Sequence, residues 1–158
     1  MADSPSALNM LVPDFSAQIT GTSPFRLSDH AGKKIVLYFY PKDNTPGCTA
    51  QSIEFRELYA EFLQDNVMIV GVSRDSLRSH DAFKAKLALP FDLISDPDET
   101  LCLMFNVMKQ KNMYGKLVRG AERSTFVIDS AGRLVKEWRG VKVTDHAKEV
   151  LQYVRSLG

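Results

Sequence analysis

A cysteine three residues after a threonine, in the run Pro41-Lys-Asp-Asn-Thr45-Pro-Gly-Cys48-Thr49, is the feature of this sequence best suited to chemistry. Downstream, Phe55, Leu58, Tyr59, Phe62 and Leu63 keep the i, i+3, i+4, i+7, i+8 spacing of a helix with one buried face, so Cys48 stands at or beside a helix start. A thiol there meets unpaired backbone N–H groups and the positive end of the helix dipole, both of which favour thiolate. Ionisation has a limited yield. A free thiol of pKa about 8.5 is ~3% ionised at pH 7, so full ionisation gains at most about thirtyfold, and nucleophilicity falls as the thiol becomes more acidic. Fast chemistry at this sulfur therefore needs other groups to stabilise charge on the leaving atom.

Thr45 and Arg123 are the candidates for that task. A hydroxyl three residues before the cysteine can turn into the same pocket, and an arginine presents five donors on a permanently charged fork. Pro41 and Pro46 remove backbone donors and stiffen the loop. Taken singly, each residue has a plainer role: Cys48 as a buried structural thiol, Thr45 as a cap or turn former, Arg123 as a strand-end charge. The flanking Pro, Gly and Thr residues place Cys48 on a surface loop, and only the combination favours a reactive site.

The elements that must position these residues are readable in part. Residues 12–33 carry turn formers between short apolar stretches and predict an N-terminal strand or hairpin. Ile35–Tyr40 and Val67–Val72 read as buried strands; the helix between them makes a right-handed β-α-β unit. A second helix is expected over Leu77–Leu87. Asp96-Pro97-Asp98-Glu99 signals a short helix through about Phe105, with Cys102 on it. Residues 106–122 have no strong period and read as an exposed excursion. Ser124–Asp129 and Leu134–Trp138 predict an antiparallel hairpin, and a helix capped by Thr144 places Ala147, Val150, Leu151, Val154 and Leu157 on one face. This order predicts an α/β thioredoxin fold, a mixed central sheet flanked by helices, as a single domain over residues 1–158.

Composition narrows the function. With 20 basic and 19 acidic residues among 158, the formal net charge of +1 selects for neither nucleic acid nor an anionic membrane. No apolar window reaches the roughly 18 residues of a membrane span, and the first ten residues do not resemble a leader, so a cytoplasmic protein is expected. Two cysteines fit a reducing compartment. His30, His80 and His146 are scattered and read as surface or turn residues; no metal and no cofactor are expected.

The run Leu37-Tyr-Phe-Tyr-Pro41 through Cys48-Thr49 resembles the active-site signature of peroxiredoxins, specifically the bacterioferritin comigratory protein (BCP, PrxQ) branch. Tyr114-Gly-Lys followed by Gly120-Ala-Glu-Arg123-Ser-Thr-Phe-Val-Ile-Asp129 is similar to that branch's second signature. The resemblance runs from about Val12 to the C-terminus and implies an AhpC/TSA-type domain. It implies a thiol peroxidase that reduces hydrogen peroxide and organic hydroperoxides through a cysteine sulfenic acid. By the same resemblance Pro41 shields Cys48, Thr45 binds peroxide, Cys48 attacks, and Arg123 stabilises thiolate and transition state.

The sequence departs from that pattern in the second half of the cycle. Many members carry a resolving cysteine five residues after the first, where Ile53 stands here; others place it on the next helix, and Ser76–Leu89 contains none. Gln51 occupies a position where glutamate is frequent. Cys102 is the remaining intramolecular candidate, but its setting in Leu101-Cys-Leu-Met-Phe105 favours a core residue. The expectation is therefore external reduction by thioredoxin, glutaredoxin or glutathione. A monomer is expected, with a homodimer as the alternative state. The competing function is a peroxide sensor that passes oxidation from Cys48 to a partner protein. Lys109, Lys111, Lys116 and Arg119 read as a solvated basic face that can also guide an acidic reductase.

Overall fold

The computed structural model of the chain describes residues 8–21 and 23–157. β1 (Ser16–Ile19) and β2 (Phe25–Arg26) form the expected N-terminal antiparallel pair, and β3 (Lys34–Phe39) follows. Ile35, Leu37 and Phe39 enter one apolar cluster; Val36, Tyr38 and then Tyr40 enter the other. The period of two therefore splits the interior into two cores, one on each face of the sheet, and a strand buried on both faces reads as unbroken hydrophobicity.

α1 (Pro46–Gln64) connects β3 to its parallel neighbour β4 (Val67–Ser73), with Lys34 opposite Val67 and Phe39 opposite Val72. Pro46 suits the first helical turn, whose N–H would find no intrahelical partner. Phe55 and Phe62, both without exposed surface, fix α1 to the sheet at roughly 1.5–3 kcal/mol each. The buried stripe differs from the expected one: Leu63 is 53% exposed, and the stripe instead extends back through Cys48, Gln51 and Ser52. Tyr38 stacks on Phe55 at 4.8 Å, and its hydroxyl lies 2.9 Å from that of Ser52. Its ring crosses β4 at Gly71, where a Cβ would lie 2.9 Å from the ring, so no larger residue fits.

α2 (Leu77–Leu87) occupies the predicted span, with the Ser76 hydroxyl accepting from Ser79 N–H at 3.1 Å. It leads to β5 (Asp92–Ser95), parallel to β4 and paired also with β1, a strand the sequence pattern did not reveal. α3 (Thr100–Met104) starts later than the Asp-Pro signal implies. Glu99 adopts φ 64° immediately before it, and Asp96 caps from outside by accepting from the Leu101 and Cys102 N–H groups at 3.0 and 2.8 Å. Residues 106–122 are not irregular: β6 (Met108–Met113) and β7 (Lys116–Ala121) form a separate antiparallel pair turning at Tyr114 and Gly115, both with positive φ.

β8 (Ser124–Ile128) and β9 (Leu134–Arg139) form the expected hairpin beside β3, completing the order β2-β1-β5-β4-β3-β8-β9. α4 (His146–Ser156) buries Ala147, Val150, Leu151 and Val154 as predicted, but Asp145 at φ 61°, not Thr144, precedes it. α1, α2 and α4 pack on the Tyr38 face; α3 and the N-terminal hairpin pack on the Leu37 face. This is the expected mixed sheet with helices on both sides. Among the described residues no helix is long and apolar enough to cross a membrane.

Candidate active site

The loop from Tyr40 to Thr45 leaves the C-terminal end of β3 and enters α1, the end of a parallel sheet where ligands commonly bind. Thr45 occupies the N-cap position with extended backbone (φ −85°, ψ 152°), yet its side chain makes no capping bond. Its hydroxyl donates instead to the Lys42 carbonyl at 2.7 Å. The oxygen's lone pairs are left to accept, so toward any incoming molecule Thr45 acts as an acceptor. The first helical bond runs from Thr49 N–H to the Thr45 carbonyl at 2.9 Å, and the earlier N–H groups of α1 open toward the loop.

Cys48 is the third residue of α1 and has no exposed surface. The expectation of a surface-loop cysteine is corrected here: Lys42, Asn44 and Pro46 are exposed, Pro41, Thr45 and Gly47 are half-buried, and the thiol lies beneath them. It faces the core made by Val36, Tyr38, Tyr40 and Phe55.

Antiparallel pairing of β3 with β8 places Phe39 opposite Ser124, so the next residue back, Arg123, is delivered to the same end of the sheet as the loop. Its guanidinium lies along the first turn of α1. Nη1 donates to Gln51 Oε1 at 2.7 Å, and a Cβ on Gly47 would sit 2.9 Å from Nη2. Gly47 and Gln51 are one turn apart on the same face of α1, and Cys48 lies on the same turn. Gln51 is itself fully buried, and its Nε2 has no hydrogen-bond partner among the described residues.

A second group of residues holds the loop in place. Asp43 is buried; its Oδ1 accepts from the Tyr40 hydroxyl at 2.7 Å, and its Oδ2 meets Ser79 Oγ at 2.8 Å and His80 Nδ1 at 2.7 Å. His80 Nε2 donates to the Ile94 carbonyl at 2.8 Å, and the Asp43 N–H donates to Asp75 Oδ2 at 2.9 Å. Burial opposes ionisation of Asp43, but the hydrogen bonds from His80, Tyr40 and Ser79 outweigh it and hold the carboxyl below its ordinary range. Asp43, Asp75 and His80 bring potential ligand atoms within 4.8 Å of one another, but both ring nitrogens and the Asp43 oxygens are already bonded, so the set is closed on itself.

His80 was expected at the surface and is wholly buried; His146 is buried too, against Thr125 Oγ1 at 2.8 Å, while His30 is half-buried. A signal for His80 existed: with Phe83 and Leu87 it forms an i, i+3, i+7 set on α2, the spacing of a buried face.

Cys102 lies elsewhere. It belongs to the core on the Leu37 face of the sheet, whereas Cys48 belongs to the core on the Tyr38 face. Burial, and then the neighbouring Asp96 carboxylate, push its thiol far up, so it stays protonated at neutral pH.

The model of the AhpC/TSA family matches residues 9–137, and the chain belongs to that family. Within it, Bcp peroxiredoxins are among the relatives. The chain is 47% identical to peroxiredoxin Bcp of Xanthomonas campestris pv. campestris over 156 residues, covering 99% of this chain and 98% of the relative. It is 48% identical to peroxiredoxin Bcp of Bacillus subtilis over 145 residues, 92% of each. A solved structure of the X. campestris bacterioferritin comigratory protein superposes with a TM-score of 0.87 at 48% identity, covering 90% of this chain and 91% of that one. Peroxidoxin BcpB of Mycobacterium tuberculosis gives 0.84 at 31% identity, covering 96% and 97%. The fold is thus the thioredoxin fold of peroxiredoxins, and the activity is that of a thiol peroxidase.

Proposed function

We propose that Cys48 is the peroxide-attacking nucleophile and that a thiol from outside the chain completes the cycle. The observation that carries this is the Arg123 guanidinium laid against Gly47 and Gln51 on the first turn of α1, the turn that also carries Cys48. The thiolate attacks the terminal oxygen of hydrogen peroxide or an organic hydroperoxide. The S–O bond forms as the O–O bond breaks, and the departing oxygen takes a proton to leave as water or an alcohol. Arg123 stabilises the thiolate and the charge on the departing oxygen. Thr45 accepts the hydrogen of the incoming hydroperoxide, its own proton being held by Lys42. Pro41 shields the sulfur at the rim. Because Cys48 has no exposed surface, the first turn of α1 opens to admit substrate.

The resulting sulfenic acid condenses with an external thiol, releasing water and leaving a mixed disulfide; a second thiol frees Cys48 and carries away the disulfide. Thioredoxin, glutaredoxin or glutathione supplies these thiols. Cys102 does not resolve: it lies across the sheet, and its protonated thiol is a poor nucleophile. The chain works as one peroxiredoxin domain over residues 1–158, a monomer in the cytoplasm, where two unbridged cysteines are at home.

Intact mass spectrometry after one equivalent of peroxide tests this. Wild type and Cys102→Ser gain one oxygen, and Cys48→Ser gains none. Loss of two hydrogens in wild type means a Cys48–Cys102 disulfide and overturns external resolution. One oxidation per chain, with no turnover on added thioredoxin, glutaredoxin or glutathione, means a sensor.

A further inference from the structure

We propose that the hairpin of β6 and β7 is a docking arm for the reductant, and that the partner it fits is a protein thiol donor of the thioredoxin class, with an acidic and partly apolar face around its own reactive thiol. Resting on the external reduction of Cys48 proposed above, this assigns the surface on which the thiol arrives. The two faces of the hairpin differ. Its register places Met108 opposite Ala121, Gln110 opposite Arg119 and Asn112 opposite Leu117 on one face, and Lys109 opposite Gly120, Lys111 opposite Val118 and Met113 opposite Lys116 on the other. The first face turns to the body of the protein: Ala121 and Met108 join the core on the Leu37 face of the sheet, and Arg119 is ion-paired with Glu99 just before α3. The second face points away from α3 and gathers the hairpin's three lysines around Val118 and Met113. Among the described residues none of these lysines makes an ion pair. A Cβ on Gly120 would meet nothing within 4 Å, so that face is open at its base as well.

Charge is segregated onto this element. The whole chain balances to +1, yet Met108 to Ala121 holds Lys109, Lys111, Lys116 and Arg119 and no acid, and only Arg119 is compensated. Lysine on a free strand is an ordinary guard against strand pairing. A guard has no need of the apolar side chains that stand among these cations: Tyr114 at the turn is 101% exposed, and Met113, Leu117 and Val118 are exposed too. An aromatic and several aliphatic groups ringed by cations suit a protein contact, in which the apolar groups supply affinity and the charges supply steering and register. Glutathione would use the lysines and leave the apolar residues idle. A second copy of this chain, packed through the same face, would bring like charges together.

The position of the hairpin brings its occupant to the site. Glu122 N–H donates to the Val107 carbonyl at 2.7 Å and closes the base of the hairpin. The next residue is Arg123, whose guanidinium reaches the turn of α1 that carries Cys48. Strands of 6 residues make an arm of roughly 20 Å. A domain of ~100 residues has a radius of gyration of about 13 Å, so one such domain seated on the arm borders both its tip and its base.

The test compares kcat/KM for a thioredoxin of net negative charge, recycled by its reductase and NADPH, with turnover driven by dithiothreitol, a small uncharged dithiol. Two variants of the full chain are used: Lys109→Gln, Lys111→Gln and Lys116→Gln together, and Tyr114→Asn with Val118→Ser, asparagine being tolerant of the positive φ at the turn. The lysine variant is expected to lose about tenfold or more in kcat/KM for thioredoxin at ~20 mM salt, and little at ~1 M, where the Debye length is about 3 Å. The Tyr114 and Val118 variant is expected to lose about tenfold at both salt concentrations. Turnover with dithiothreitol stays at the wild-type level in both. Wild-type thioredoxin kinetics in the lysine variant overturns the choice of an acidic partner, and in both variants the docking role altogether. An equal loss with dithiothreitol also overturns docking, because the arm then serves the site and not the partner. A changed oligomeric state by analytical ultracentrifugation, with thioredoxin kinetics intact, gives the face to a second copy and overturns the proposal too. Failure of the wild-type chain to turn over with any thiol, dithiothreitol included, would instead remove external reduction itself, a different failure.

Discussion

Thr45 illustrates how a single hydrogen bond assigns a direction to a reaction. With its proton on the Lys42 carbonyl at 2.7 Å, the hydroxyl can receive the hydrogen of a hydroperoxide but cannot also donate one. Thr45→Ser, which keeps the oxygen, is expected to retain most of the peroxide rate. Thr45→Val, which keeps the shape, is expected to lose about ten- to hundredfold, equivalent to about 1.4–2.7 kcal/mol of transition-state stabilisation, measured as the second-order rate with hydrogen peroxide. Arg123→Lys tests the other half. A lysine keeps the charge but not the planar fork that bonds Gln51 and leaves further donors for the substrate, and the same assay is expected to show about a hundredfold loss. These residues were legible as types and spacings in the sequence. What was not legible was their burial, because Pro, Gly and Thr around Cys48 mark an exposed rim and carry no sign of the depth at which the thiol lies.

At the scale of elements, the first turn of α1 is a meeting place held from two directions. Arg123 arrives from the start of β8, and the loop before the helix is tied to α2 through Asp43 and His80. Gly47→Ala would put a methyl group within 2.9 Å of the guanidinium nitrogen, a flexible tip that can yield. Peroxide reduction is expected to fall while the thermal midpoint barely moves. His80→Leu does the opposite kind of damage. It strips Asp43 of a buried partner, and by analogy with broken buried pairs the cost is about 3 kcal/mol, or a midpoint lower by roughly 6–12 °C by differential scanning calorimetry. The long elements β3, β4 and α2 were plain in the sequence because their whole length is buried or capped. β5 was hidden because only two of its four residues, Leu93 and Ile94, are apolar, and the hairpin of β6 and β7 because both of its faces are largely exposed and carry no alternation.

For the molecule as a whole, stability responds to pH through groups that the fold keeps in one protonation state. Burial lowers the His146 imidazole below its usual 6.5, partly offset by its bond to Glu149. As pH falls through about 6.5 the unfolded chain takes up this proton and the folded one does not, so stability declines from there until the folded group titrates as well. Urea midpoints at pH 7.5 and 5.5 are expected to drop in wild type and to drop less in His146→Gln. The contribution of Asp43 runs lower on the scale: its folded carboxyl is more acidic than the unfolded one, so its stabilisation is complete above about pH 4 and lost only beneath it. Neither window was readable from the sequence, where all three histidines looked superficial.

The sheet that separates Cys48 from Cys102 also decides what the oxidised enzyme can remember. In the proposed cycle, in which Cys102 does not reach Cys48, the sulfenic acid persists until it meets either an external thiol or a second peroxide, and the second encounter makes the irreversible sulfinic acid. Permanent inactivation then depends on the ratio of peroxide to thiol in the surroundings. In the proposed cycle the chain carries no timer of its own; the fraction lost per turnover is a running record of the redox balance around it.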